Sequence, residues 1–102
     1  SIEQFVMLTS TNAAKLFGLY PQKGTIAVGS DADLVLWDPK LNIVIDGNAL
    51  YSRACFSVYD GMEVTGWPVI TIRRGEVVYK DQQITGQPGS GQIIRRSKFQ
   101  QP

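Results

Sequence analysis

The sequence predicts an α+β chain, mainly β behind N-terminal helices, on three observations. Ser1 and Gln4 have capping-box spacing in front of an apolar stripe of Ile2, Phe5, Val6 and Leu8, so a helix starts at Ile2. A second helical stretch over residues 12–17 runs into Gly18, with Pro21 behind it. After that the pattern turns from helical to extended, with an apolar run at 34–37 and alternating stretches beyond residue 66.

Taken in order, Ser10 or Thr11 is placed to cap the second helix, with Ala13, Leu16 and Phe17 facing inward. Gly24 and Gly29 bracket Thr25-Ile-Ala-Val, a tight loop with one short extended piece. Ser30-Asp31-Ala32-Asp33 leads into the strand Leu34-Val-Leu-Trp37. Asp38-Pro39 ends that strand, because proline lacks a ladder donor. Residues 42–45 form a second short strand and Asp46-Gly47-Asn48 a turn. Residues 51–59 pattern poorly and read as an irregular loop ending in a strand, with Asp60-Gly61 a turn behind it. The clearest local structure is a hairpin, 67–73 and 76–79, turning at Arg74-Gly75. Composition shifts at Gly86, where Gly, Pro and Ser crowd into a connector.

A chain of 102 residues, 43% hydrophobic, is one domain at most and is long enough to bury a core. No apolar run reaches the length of a membrane span. Residues 1–85 carry seven basic and nine acidic groups, whereas the tail adds Arg95, Arg96 and Lys98 with no acid. No aromatic stacking platform or groove-reading helix accompanies that tail, so it does not read as a nucleic-acid site. The single Cys55 has no internal partner, fits a reducing compartment and is expected as a buried structural thiol.

The chain has no histidine, the commonest nitrogen ligand for catalytic zinc. Its nine acidic groups show no calcium-loop or ligand-pair spacing. Asp31 and Asp33, two apart, invite a shared cation. The favoured reading is structural: short acceptors bonding nearby backbone amides at the start of a strand. Gly89-Ser90-Gly91 matches only the opening of a phosphate loop. No Gly-x-Ser-x-Gly elbow and no paired carboxylates for glycoside chemistry occur. No catalytic, cofactor-binding or metal-binding residue is nominated.

Three stretches carry a family resemblance: Thr9 to Asp38 (TSTNAAKLFGLYPQKGTIAVGSDADLVLWD), Tyr51 to Pro68 (YSRACFSVYDGMEVTGWP) and Gly86 to Gln92 (GQPGSGQ). They resemble the part of the amidohydrolase superfamily where the last helix of a metal-bearing barrel gives way to a small β-domain. The resemblance is closest to the cyclic-amide hydrolases, the dihydropyrimidinases and hydantoinases. It implies that residues 1–22 are terminal helices of an upstream (β/α)8 barrel. Residues 23–85 are then the C-terminal portion of a β-sandwich, and 86–102 a flexible basic arm.

The implied parent is a cytoplasmic hydrolase opening hydantoins or dihydropyrimidines to N-carbamoyl amino acids. It uses two divalent metal ions, zinc expected, to activate a hydroxide. The metals lie on residues outside this chain, which holds no cofactor and is expected to be inactive alone. The implied partners are the remainder of its own barrel and further copies in a homotetramer, with residues 92–101 reaching over a neighbour; neither nucleic acid nor membrane is a partner. The other reading is a non-catalytic dihydropyrimidinase-related scaffold protein that kept the fold and lost the metals.

Overall fold

The structure is a computed structural model and describes residues 1–97. The N-terminal segment is one run of helix: α1 (Ile2–Val6), a π-helical turn (Met7–Thr11) and α2 (Asn12–Leu16). The expected capping box closes it at the start, with Gln4 N donating to Ser1 Oγ and the Ser1 amine donating to Gln4 Oε1. A break and a new cap at Ser10 or Thr11 do not form. The Thr9 hydroxyl donates to the Phe5 carbonyl at 2.7 Å, and the helix passes the serine–threonine stretch by widening to a π turn. The Thr11 hydroxyl donates instead to Gly24 O at 2.7 Å, tying the helix to the loop after it. The helix stops at Gly18, φ +70°, as the left-handed stop requires.

After the loop, four strands form one antiparallel sheet in the order β1-β2-β3-β4: β1 (Leu34–Val44), β2 (Glu63–Arg73), β3 (Glu76–Lys80) and β4 (Gln83–Ile84). Asp38-Pro39 does not end β1. Asp38 Oδ1 accepts from Lys40 N at 2.9 Å, and three residues loop out of the ladder before pairing resumes at Asn42 opposite Thr65. The bulge removes proline's missing donor from the ladder, so the two expected strands are one. Residues 25–28 form no strand.

The β2–β3 turn has Arg74 at φ +46° and Gly75 at φ +80°, the two positive values of a two-residue hairpin turn matched to strand twist. Asp81 and Gln82, also at positive φ, make a second tight turn into β4. Val78 lies at a β2–β3 register shift, and its carbonyl accepts from both Thr85 N and Gly86 N.

Very little of this is core. Ala14, at 6% exposure, is the one buried hydrophobic side chain among the described residues. Phe5, Leu8, Leu16, Phe17, Trp37, Phe56 and Ile84 are all exposed. The radius of gyration is 15.6 Å, against about 13 Å for a compact domain of this length. A closed core, which the chain's length allows, does not form among the described residues. The described residues put no second layer on the sheet, and the helix meets it through an edge-to-face contact of Phe5 on Trp37, centroids 5.9 Å apart. Cys55 is likewise exposed, not buried, in a loop with no core beneath it.

Candidate functional site

Two motifs of the sequence, the Asp31/Asp33 pair and the Gly89-Ser90-Gly91 loop, and one groove on the sheet are the places where chemistry could sit. The aspartates are brought together by Lys23, which lies in the loop after the helix. Its ammonium ion-pairs with Asp31 Oδ2 at 2.8 Å and with Asp33 Oδ2. Gln22 Nε2 adds a bond to Asp31, and Asp33 Oδ1 accepts from Arg74 N at 2.8 Å.

The protonation states follow from this geometry. Hydrogen bonds from Lys23, then Gln22, hold the Asp31 carboxyl below its ordinary range. Burial pushes Asp33 up, but Lys23 and the Arg74 amide outweigh it and leave it lowered. Burial pushes Lys23 down, and its bonds to the two carboxylates more than reverse this, so it titrates higher than a free lysine. The pair is thus neutralised by an internal cation. It joins the loop after the helix, the start of β1 and the tip of the β2–β3 hairpin, a structural role made through a lysine and an amide 41 residues away instead of the nearby backbone amides expected. The lysine was not foreseen.

The Gly-Ser-Gly loop is held by arginines. Arg73 Nη2 donates to Ser90 Oγ at 2.7 Å, and Arg74 Nη2 to the Ser90 carbonyl at 2.8 Å. Glu76 partners Arg73 at 3.4 Å. The cradle is filled by side chains of the same chain and no helix follows it among the described residues, so the features of a phosphate loop are not met there.

On the sheet face lies an open groove of about 320 Å³, lined by Leu41, Ile43, Leu50, Tyr51, Trp67 and Tyr79 among others. Tyr51 and Tyr79 meet edge to face, centroids 6.3 Å apart, and Tyr51 Oη donates to the Gln82 carbonyl at 2.7 Å. The groove is apolar surface of the sheet without a nucleophile–base pair.

The described residues contain no group of three or more His, Cys, Asp or Glu side chains able to hold a metal ion. The donor set here therefore does not fit the two-metal centre that the resemblance implies for the parent, and no reaction step is drawn through these residues. No helix among them is long and apolar enough to cross a membrane.

Comparison with known proteins agrees with the fold. The model of the amidohydrolase family matches residues 1–78. The chain is 48% identical over 99 residues to a D-hydantoinase from Geobacillus stearothermophilus, covering 97% of this chain and 21% of that protein. It is 47% identical to a dihydropyrimidinase from Rattus norvegicus, over 94% of this chain and 18% of that protein. A solved D-hydantoinase structure superposes with a TM-score of 0.93 at 46% identity, over 99% of this chain and 22% of that one. The chain thus spans about a fifth of the length of the curated relatives it matches. With its helix, loop and most of its sheet inside the matched region, this chain belongs to the amidohydrolase family.

Proposed function

We propose that this chain is the C-terminal portion of a metal-dependent hydrolase that opens cyclic amides, hydantoins or dihydropyrimidines, to N-carbamoyl amino acids. Its own part is structural and oligomer-forming. The observation that carries this reading is the superposition on a D-hydantoinase at 46% identity over nearly the whole chain. Residues 1–22 are proposed as terminal helices of the barrel, 23–85 as part of the β-sandwich and 86–102 as the C-terminal arm. The two divalent metal ions of the parent are assigned to residues outside this chain.

The apolar surfaces support the division of labour. An amphipathic helix that exposes Phe5 and Leu8 and a sheet strand that exposes Val35 and Trp37 are shaped to lean on something else. We assign that role to the remainder of the same enzyme and to further copies in a homo-oligomer, a tetramer. An exposed single thiol at Cys55 fits a reducing, cytoplasmic setting.

The test is ring opening of hydantoin and dihydrouracil by the full-length polypeptide, followed by appearance of the N-carbamoyl acid. Turnover of either ring supports the reading. A full-length protein that binds metal and hydrolyses neither ring, nor any related cyclic amide, contradicts it.

A further inference from the structure

We propose that residues 86–97 form an intrachain strap that fastens the end of the helix to the sheet. Three attachments, spread along the segment, carry the inference. Gly86 N donates to the carbonyl of Val78, so the strap leaves from β3. At its middle, Ser90 receives Arg73 on its hydroxyl and Arg74 on its carbonyl, at 2.7 and 2.8 Å. At its far end, Ser97 N and Ser97 Oγ both donate to the carbonyl of Gly18, at 2.8 and 3.0 Å, across 79 residues of sequence.

The last attachment uses a carbonyl that the helix leaves over at its C-terminal stop, and an incoming amide satisfies it. It also needs a glycine for a reason beyond backbone conformation. A Cβ on Gly18 would stand 2.4 Å from the carbonyl oxygen of Ser97. The strap and the helix stop therefore fit each other at backbone distance. The hairpin tip is shared as well, since Arg74 binds Ser90 with its side chain and Asp33 with its amide. Together the strap and the Lys23 ion-pair cluster fix helix and sheet from two sides, where hydrophobic packing between them is thin.

Arg95 and Arg96 are exposed on the strap and report its release as tryptic cleavage sites. The experiment is tryptic release of the C-terminal peptide from the full-length protein, timed by mass spectrometry. Gly18→Ala adds both left-handed strain and the clash with Ser97. Gly29→Ala, at φ +91° with nothing within 4 Å of its new Cβ, adds strain alone. Cleavage at Arg95 or Arg96 is expected to rise roughly tenfold in Gly18→Ala and less than twofold in Gly29→Ala, because cleavage follows the open population. Should Gly18→Ala fail to fold, Arg74→Asn serves instead. It keeps a residue that tolerates the turn's positive φ and removes the guanidinium from Ser90, and it is expected to raise cleavage severalfold. Equal cleavage in Gly18→Ala and Gly29→Ala, or in Arg74→Asn and the parent, overturns the strap. So does protection at Arg95 and Arg96 that disappears on dilution below the assembly concentration, which would assign the segment to a neighbouring subunit.

Discussion

Asp33 and Arg74 lie 41 residues apart and are joined side chain to backbone: Asp33 Oδ1 accepts the Arg74 amide at 2.8 Å while its other oxygen holds Lys23. The start of β1 thereby grips the tip of the β2–β3 hairpin. Removing the carboxylate in Asp33→Ala leaves the amide and the ammonium without this partner. Opening at the tip should become more frequent by about fivefold, near 1 kcal/mol, a modest value because the carboxylate is partly exposed. Native-state hydrogen exchange at the Arg74 amide reads it, and an unchanged protection factor would dismiss the grip.

The same cluster makes a signed prediction about pH. Asp31 and Asp33 titrate lower in the folded state than in the unfolded chain. Their contribution is present above the unfolded value near ~4 and is lost as pH falls through the folded values. Lys23 titrates higher when folded, so its contribution is complete below ~10.4 and is lost as pH rises through its folded value. The stability difference between the parent and the double variant Asp31→Asn/Asp33→Asn should stay level from about pH 5 to 9 and close below about pH 4. Urea titrations across that range decide the matter. A difference that already closes between pH 5 and 7 would be the wrong sign of shift.

Loop 46–61 is organised around Gly47 and Asp60. Asp60 accepts Gly47 N at 2.5 Å and Ser57 N at 3.1 Å, and a Cβ at Gly47 would meet the Phe56 backbone at 2.4 Å. Backbone does not move aside as a flexible side chain does. Gly47→Ala should cost roughly 1–3 kcal/mol as an overpacked site. Gly61→Ala, at φ +80° in open space, should cost only about 1 kcal/mol of backbone strain. Urea midpoints falling equally in the two variants would remove the steric account.

Much of the local structure was legible because its determinants lie within a few residues. The Ser1–Gln4 box, the Gly18 stop and the Arg74-Gly75 turn are each set by short-range geometry. What was missed depends on partners far along the chain. Pro39 reads as a strand end until β2 is seen to accommodate a bulge there. The Thr11 hydroxyl reads as a cap, but Gly24 takes it. Lys23 gives no local hint that it will sit between Asp31 and Asp33. Cys55 reads as a buried structural thiol because it lies between Ala54 and Phe56 with no histidine to activate it, yet the loop that carries it has nothing packed over it and it is exposed. The part of the expected subunit arm beyond Ser97 lies outside the described residues.

The open faces carry their own prediction. With Ile2, Leu8, Phe17 and Phe56 uncovered, the 102-residue chain in isolation should bind an apolar dye and sediment as associated species at micromolar concentration. The full-length protein, whose remainder is proposed to cover these faces, should not bind the dye. A dye-silent monomer of the isolated chain would mean that these faces need no cover.

The most direct measurement is complementation. Residues 1–102 and the full-length polypeptide lacking them are produced separately, and hydantoin hydrolysis is followed for each piece and for the mixture. The account predicts no turnover by the chain alone, weak or none by the truncated protein, and recovery on mixing. Ring opening by the 102-residue chain alone, or full activity of the protein without it, would contradict it.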